Sequence, residues 1–324
     1  MSVQRARVIE STGKWYKVFP DDASKELDFT EQLVSCRIPG KFRLKKFAQT
    51  NPVAVGDFVY FRQLDDGSGI IEEIEERFNK ISRKATHGRK GEHILAANVD
   101  QAFVVQSVRQ PGFKTGFIDR FLVTAGAYDV QPVIVLNKMD LGTEEDAIEV
   151  AGIMDLYTGL GYPIMLTSIY DEDSIIDLAA AMQDKASVFI GPSGCGKTSL
   201  LNEIQPGLNR TVGEVSASSQ KGKHTTTFAE LLPLHFGGYL ADTPGIREFG
   251  LVHVELNEID AYFPEMAALK DECKFHNCSH LHEPDCAVMQ AFDAGEIAAS
   301  RYQSYINIYE SVESEEVSAG SRKR

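Results

Sequence analysis

"GPSGCGKTSL" at residues 191–200 follows the apolar run "ASVFI" and precedes a run with helical character. It fits the pattern G-x-x-x-x-G-K-[ST], in which glycines let the backbone curl so that its N–H groups point at phosphates. The N-terminus of the following helix adds a favourable potential for an anion. We therefore predict a strand, a phosphate-binding loop and a helix, with a nucleotide bound by Gly191, Pro192, Ser193, Gly194, Cys195, Gly196, Lys197, Thr198 and Ser199.

Two side chains at the end of this loop indicate how a nucleoside triphosphate would be held. Lys197 is placed to reach the β- and γ-phosphates, and the Thr198 hydroxyl is placed to bind Mg²⁺. A second stretch, "LADTPG" at residues 240–245, ends an apolar strand with Asp242, whose carboxylate can hold the same Mg²⁺ through water. Gly245 can present its backbone N–H to the γ-phosphate. These features specify neither the base nor the reaction.

The base is indicated by "VLNKMDL" at residues 135–141, which contains the Asn-Lys-x-Asp motif of guanine sites. Asp140 can accept two hydrogen bonds, from the N1–H and the exocyclic amine of guanine. Adenine cannot supply that donor pair, so an ATPase or kinase does not account for this motif. Asn137 would brace the phosphate loop and Lys138 would pack over the base. The predicted guanine site comprises Asn137, Lys138, Met139, Asp140 and Ser168.

The residues around these motifs alternate between apolar strands and helical segments. The strands are "QAFVVQSV" (101–108), "PVIVLN" (132–137), "YPIMLTS" (162–168) and "ASVFIG" (186–191). Their lack of polar alternation is typical of parallel strands buried on both faces. We predict a doubly wound α/β domain, followed by an antiparallel pair formed by "AELLPL" and "GGYLAD".

The first 80 residues contain five short β-rich runs separated by Gly, Asp, Pro and Asn. This pattern predicts a small β-barrel, either an OB-like fold or an SH3-like one. Trp15, Tyr16 and Phe42 alternate with basic residues, so they could form a face for nucleic acid or fill the barrel core. Residues 77–95 are basic and polar and are predicted to be a linker.

The overall charge limits the partners that the chain can have. The net charge of −14 argues against a protein that coats nucleic acid through bulk electrostatics. Basic residues nevertheless bunch in "RIPGKFRLKK" (37–46) and "RKATHGRK" (83–90), which could meet RNA phosphates or be solvated loops. No apolar run is long enough for a membrane span, and "MSVQRARVIE" lacks the apolar core of a signal peptide. We therefore expect a cytoplasmic protein that does not associate with a membrane.

The stretch "CKFHNCSHLHEPDC" at residues 273–286 combines cysteines and histidines. In a reducing compartment such a cluster indicates a metal rather than disulfides. Three thiolates and one imidazole would form a closed tetrahedral Zn²⁺ site with a structural role. The thiolates come from Cys273, Cys278 and Cys286, and the candidates for the imidazole are His276, His280 and His282.

The motifs occur in a rotated order. In small GTPases the phosphate loop comes first and the guanine motif later, whereas here residues 137–140 and Ser168 precede residues 191–198, the threonines at 225–227, and residues 242–245. This order resembles that of circularly permuted GTPases. With a barrel before and a Cys/His cluster after, the chain resembles the ribosome small subunit-dependent GTPase A family along nearly its whole length. The matching segments are "ANVDQAFVVQS", "IDRFLVTA", "VIVLNKMDL", "GKHTTT", "DTPGIREFG" and "CSHLHEPDCAV".

The resemblance implies hydrolysis of GTP to GDP and phosphate, stimulated by the small (30S) ribosomal subunit. It further implies a role in late maturation of that subunit, through binding to its 16S rRNA. The family pattern favours His280 as the fourth zinc ligand and Thr226 as a Mg²⁺ ligand. We also expect a monomer. Alternatives are an RNA-binding scaffold with a vestigial nucleotide site, or another permuted GTPase of ribosome assembly.

The catalytic group is not specified by the usual motif. Ras-like enzymes place a glutamine after Asp-x-x-Gly to orient the attacking water, but Ile246 occupies that position. His224 lies just before the threonines and could instead orient water when a partner orders its loop. The resemblance also indicates this histidine, and an exposed loop histidine is the alternative.

The motifs divide the chain into three predicted domains. Residues 1–85 form the OB-fold-like β-barrel, residues 86–250 the permuted GTPase domain with a basic linker, and residues 251–324 a mainly helical zinc-binding domain. The last residues, "ESEEVSAGSRKR" (313–324), are predicted to be disordered.

Overall fold

The computed structural model describes residues 3–23, 28–39, 51–84, 92–206, 229–242 and 254–321. The chain divides into two compact units, each assembled from segments that are separated in sequence. The first comprises residues 1–102, 176–190 and 201–248, and the second comprises residues 103–175, 191–200 and 249–324. Among the described residues, no helix has both the length and the apolar character needed to cross a membrane.

The first unit begins with a five-stranded barrel. Its hydrogen-bonded order is β1-β2-β3-β5-β4, and β4 returns to pair with β1. Only β3 and β5 run parallel among these pairs. Because β5 lies between β3 and β4, the barrel is not a simple meander, and the OB-like prediction is confirmed. The strands are β1 (Val3–Ser11), β2 (Tyr16–Pro20), β3 (Val34–Arg37), β4 (Phe58–Gln63) and β5 (Gly69–Ile74).

The aromatic residues that the sequence analysis grouped together differ in burial. Tyr16 is 1% exposed and packs with Val18, Phe61 and other apolar side chains of the barrel core. Its neighbour Trp15, which comes just before β2, is 45% exposed. The core interpretation therefore holds for Tyr16 and not for Trp15, while Phe42 lies outside the described residues.

Residues 77–95 are not simply a linker, and this prediction was wrong. They contain β6 (Lys80–Lys84) and most of β7 (Glu92–Ala97), which pair antiparallel. The segment is fastened to the barrel by Arg77, which forms an ion pair of 2.6 Å with the fully buried Asp57. The segment was interpreted as a linker because β6 is rich in lysine and arginine, which made it look like a polar connection.

Three further strands of the first unit come from later in the chain. They are β11 (Ala186–Ile190), β12 (Ala229–Pro233) and β13 (Tyr239–Asp242). β11 and β13 run parallel, and β12 and β13 form the predicted antiparallel pair. β12 also pairs antiparallel with β1, which joins these strands directly to the barrel.

The second unit contains the strands that carry the guanine motif. Its strands are neighbours in the order β10-β9-β8, and β9 and β10 run parallel. They are β8 (Gln101–Ser107), β9 (Gln131–Asn137) and β10 (Ile164–Leu166). The predicted alternation with helices is confirmed by α1 (Thr115–Ala127) and α2 (Glu144–Gly159) of this unit, and by α3 (Glu172–Met182) and α4 (Lys197–Ile204), whose residues are divided between the two units. α2 begins with a capping box, in which the side chains of Thr143 and Asp146 satisfy each other's backbone N–H groups.

The C-terminal part of the second unit is helical. It contains 3-10 turns at Leu256–Tyr262 and Lys270–Glu272, and the helices α5 (Pro264–Ala267), α6 (Ala287–Asp293) and α7 (Ala299–Ser321). Buried Phe263, Met266 and Tyr305 pack here with Val123 of α1. Since α7 continues to Ser321, most of the tail that was predicted to be disordered is helical.

A buried ion network ties α7 to α1. Arg301 is 1% exposed, and its Nη1 donates to Asp119 at 2.6 Å while its Nε donates to Glu265 at 2.7 Å. Tyr157 of α2 donates to the same Asp119 oxygen at 2.7 Å. Burial raises the pKa of Asp119, although Arg301 and Tyr157 act in the opposite direction. The network therefore depends on Arg301 as its central cation.

Arg301→Met should destabilise the second unit by about 3–5 kcal/mol, because it leaves the buried Asp119 and the partly buried Glu265 without their cation. Urea unfolding followed by circular dichroism measures the change. Arg109→Ala is the matched control, since Arg109 is 44% exposed in its pair with Asp146 and such pairs contribute about 1 kcal/mol or less. Equal stability of the two variants would contradict this account of the network.

Candidate functional site

The phosphate loop connects β11 to α4, and two of its glycines are required by close backbone approaches. A Cβ atom on Gly191 would lie 2.1 Å from the carbonyl oxygen of Val105. Gly196 has a φ of +95°, and a Cβ there would lie 2.3 Å from Nδ2 of Asn137. Any larger residue at either position would clash or force the loop apart. The glycine pattern thus follows from how tightly the loop packs against β8 and β9.

The side chains of Lys197, Thr198 and Cys195 are packed close to the phosphate loop. Lys197 donates from Nζ to the carbonyl oxygens of Gly191 at 2.7 Å and Pro192 at 2.8 Å. Thr198 stands in the first turn of α4 and is 7% exposed. The thiol of Cys195 is fully buried, and burial raises its pKa. Cys195 therefore packs as an apolar side chain, and its carbonyl is the group that other elements contact.

Asn137, the last residue of β9, joins the guanine motif to the phosphate loop. Its Nδ2 donates to the carbonyl oxygen of Cys195 at 2.9 Å. Its Oδ1 accepts from the hydroxyl of Thr167 at 3.0 Å. The side chain is 2% exposed, so neither contact competes with bulk water. One amide thus links β9, the segment after β10, and the loop after β11.

Asp140 and Lys138 lie just beyond Asn137. Asp140 is exposed, and its Oδ1 accepts from the hydroxyl of Ser168 at 2.6 Å, so the carboxylate is held in place. Lys138 adopts the left-handed conformation, with a φ of +60°. Its Nζ donates to the carbonyl oxygen of Gln110 at 2.5 Å, which holds the aliphatic stem. Met139 occupies the 3-10 turn between these two residues.

These segments enclose a cavity of about 190 Å³. It combines residues of the guanine motif, of the stretch that follows Ser168, and of the phosphate loop. A flat base with an adjoining phosphate group matches such a lining, because it combines polar groups with apolar surface. The cavity is lined by Asn137, Lys138, Asp140, Leu141, Ile169, Tyr170, Gly196 and Ser199.

Several predicted site residues lie outside the described residues. These include His224, the threonines at 225–227, Gly245 and Ile246. Asp242 is described as the last backbone position of β13, at the end of an apolar strand as expected, but its side chain is not described.

A second cluster of functional side chains lies in the C-terminal helical part. The ligand atoms of Cys273, Cys278, His280 and Cys286 all lie within 4.8 Å of one another. Nδ1 of His280 is 3.3 Å from Sγ of Cys286, and the sulfurs of Cys273 and Cys286 are 3.9 Å apart. A tetrahedral Zn²⁺ with bonds of about 2.3 Å to sulfur would separate its ligands by about 3.8 Å. The donor set and spacing therefore fit a closed metal site, and the exposed His276 and His282 do not belong to it.

The loop that carries these ligands is supported from both sides. Tyr302 and Tyr305 of α7 donate from their hydroxyls to the carbonyl oxygens of His280 at 2.7 Å and Ser279 at 2.8 Å. Glu283 accepts from the backbone and the hydroxyl of Ser279. Burial alone would raise the pKa of Glu283, but these hydrogen bonds outweigh it and lower the pKa to about 2. The loop is thus shaped by its own contacts and by α7.

The other ring nitrogen of His280 contacts a carboxylate. Its Nε2 lies 3.2 Å from Oδ2 of Asp260, which also forms an ion pair of 2.8 Å with Lys270. His280 is fully buried and Asp260 is 3% exposed. A carboxylate on one nitrogen fixes the tautomer and the orientation of the ring, so that the second nitrogen is free to bind a metal. Here that second nitrogen is Nδ1, which faces the thiols.

Comparison with known proteins agrees with this geometry. The family model described as RsgA GTPase matches residues 74–252, and the RsgA N-terminal domain model matches residues 6–71. The small ribosomal subunit biogenesis GTPase RsgA of Christiangramia forsetii is 43% identical, covering 94% of this chain and 96% of its own length. The chain belongs to the RsgA GTPase family.

Solved structures give the same result for the fold. The crystal structure of YjeQ from Thermotoga maritima is 35% identical with a TM-score of 0.77, covering 96% of this chain and 99% of its own. The structure of YloQ, described as a circularly permuted GTPase, is 31% identical with a TM-score of 0.75, covering 97% and 96%. This member of the RsgA family is therefore a GTPase with a circularly permuted nucleotide-binding domain.

The sequence analysis missed, among others, two residues that support these sites. Thr167 holds Asn137, but a threonine before Ser168 carries no signal of that contact. Asp260 lies 20 residues before His280, outside any recognisable ligand spacing. Either could have been found only once the fold brought the segments together.

Asp260→Ala should weaken metal binding by roughly 10- to 100-fold, because the His280 ring loses its orienting partner. Metal release to a chromophoric chelator measures this effect, and the visible spectrum of the Co²⁺-loaded protein reports the ligand geometry. Asp271→Ala is the matched control, as an exposed carboxylate of the same segment. A metal affinity and Co²⁺ spectrum equal to those of the control would contradict the assignment.

Proposed function

We propose that the protein hydrolyses GTP to GDP and phosphate when it meets the small (30S) ribosomal subunit, and that it acts in late maturation of that subunit. Support comes from the names of relatives such as the Christiangramia forsetii GTPase and the RsgA 2 of Bacteroides thetaiotaomicron, which is 42% identical over 94% of this chain. The observation that carries the proposal is the shared cavity, which is lined by residues of both the guanine motif and the phosphate loop.

The proposed nucleotide contacts divide between the two ends of this cavity. Asp140 reads the guanine edge, the stem of Lys138 packs on the base, and Ser168 holds the carboxylate. Residues 191–199 surround the phosphates through their backbone N–H groups, with Lys197 neutralising charge on the β- and γ-phosphates. Gly245 adds an N–H to the γ-phosphate.

The proposed metal ligands serve two different purposes. Mg²⁺ accompanies GTP and is held by Thr198, Thr226 and, through water, Asp242. Zn²⁺ has a structural role on the Cys3His cluster, and the absence of an open ligand position among these four donors supports that role.

The proposed catalytic group is His224, which would orient the attacking water after the ribosomal subunit orders its loop. Ile246, in the position of the glutamine of Ras-like enzymes, has no polar group for this task. Turnover by the free protein should therefore be slow.

The remaining proposals concern the partner and the setting. We propose three domains at residues 1–85, 86–250 and 251–324, and a monomer in the cytoplasm. The exposed Trp15, with Arg37 6.0 Å from its ring centroid, supports contact of the barrel with 16S rRNA. Local basic groups of this kind would act despite the net charge of −14.

GTP turnover with and without purified small ribosomal subunits tests this function. We expect the subunits to stimulate hydrolysis several-fold or more, and ATP to be neither hydrolysed nor competitive. His224→Ala should abolish the stimulation while the dissociation constant for GDP stays within a factor of two, because His224 acts on water rather than on the nucleotide.

His235→Ala serves as the matched control, since His235 is exposed in the turn between β12 and β13. Stimulated turnover that survives His224→Ala would remove that residue from catalysis. Turnover that small subunits do not change would contradict the coupling to the ribosome, and a failure to bind GTP would favour an RNA-binding scaffold.

A further inference from the structure

The nucleotide cavity contains an aromatic side chain that none of the motifs specifies. Tyr170 lines the cavity together with Lys138 and Asp140, and it is 80% exposed. Such exposure is unusual for a side chain whose ring could bury a large apolar area. Tyr170 therefore has an aromatic side chain at the proposed nucleotide site that no other part of the described chain covers.

The backbone of Tyr170 is held in register with the guanine motif. Its N–H donates to Oγ of Ser168 at 3.2 Å, and the same hydroxyl donates to Asp140 at 2.6 Å. Asp171 donates its N–H to the carbonyl oxygen of Ser168, and Oγ of Ser174 donates to the carbonyl oxygen of Asp171. One hydroxyl thus positions both the base-reading carboxylate and the residue that carries the ring.

The same cavity offers a second surface for a flat ligand. The stem of Lys138 lines it and is held by the bond from Nζ to Gln110. Ile169 adds apolar surface beside Tyr170. A base in this cavity would meet hydrogen-bonding groups at its edge and apolar groups at its faces, which is the arrangement that proteins use for stacked bases.

We propose that Tyr170 stacks on the face of the bound guanine and supplies affinity that is independent of the hydrogen bonds to Asp140. This assignment rests on the proposed function, since it requires a guanine nucleotide in the cavity. Stacking acts on the ring system, so it should strengthen binding of any purine base held there, whereas Asp140 distinguishes among purines. The phenol hydroxyl takes no part in it.

Calorimetric dissociation constants for GDP test the stacking. Tyr170→Ala should weaken GDP binding by roughly 5- to 150-fold. Tyr170→Phe should bind within a factor of two of the unaltered protein, because it keeps the ring. Ile148→Ala is the matched control, since Ile148 is 78% exposed on α2 and lies outside the cavity.

Inosine diphosphate, which lacks the exocyclic amine, separates stacking from edge recognition. Tyr170→Ala should weaken GDP and inosine diphosphate binding by the same factor, whereas Asp140→Ala should reduce the preference for GDP. Unequal factors for Tyr170→Ala, or GDP binding within a factor of two of the unaltered protein, would overturn the stacking. Absence of GDP binding by the unaltered protein would instead overturn the proposed function, and the stacking with it.

Fluorescence provides an independent reading. Trp15 is the single tryptophan of the chain, so a Trp15→Phe, Tyr170→Trp protein carries one reporter in the cavity. GDP should quench this tryptophan, with the midpoint that calorimetry gives for the same protein. Saturating GDP that leaves its emission unchanged would also overturn the proposal.

Discussion

The structure depends on the hydrogen bond from Nδ2 of Asn137 to the carbonyl oxygen of Cys195, which spans 58 residues of sequence. A buried amide that loses such a partner costs about 1–3 kcal/mol, so the contact favours one arrangement of the two loops. Thr167 satisfies the other end of the amide. Gly196 must lack a side chain for the contact to form, as its Cβ would meet the amide nitrogen. The guanine motif and the phosphate loop therefore meet at a single side chain.

Circular permutation changes what lies next to this contact along the chain. Along the chain the guanine motif comes first, the phosphate loop second, and the metal-binding residues last, after β13. In the second unit, α7 contacts both the metal loop and α1. Tyr302 donates to the carbonyl oxygen of His280, and Arg301 donates to Asp119.

Much of this organisation could be predicted from sequence because its signals are local. The phosphate loop, the guanine motif and the apolar strands around them are short patterns whose chemistry requires particular residues. β6 was missed because its lysine and arginine residues are typical of a linker, and its partner β7 was missed with it. The end of α7 was missed because its polar composition is also that of a disordered tail. Tyr16 and Trp15 are adjacent aromatic residues in sequence, and only the folded barrel shows that the first is buried and the second exposed. Asp260 and Thr167 act across the fold, where no local pattern reports them.

The most direct measurement of the central claim is the affinity of Asn137→Ala for GDP by calorimetry, with circular dichroism to show that the variant is folded. If Asn137 joins the base-reading and phosphate-binding segments into one site, the dissociation constant should rise by roughly 5- to 150-fold, which corresponds to about 1–3 kcal/mol. A folded Asn137→Ala protein that binds GDP within a factor of two of the unaltered protein would contradict the account.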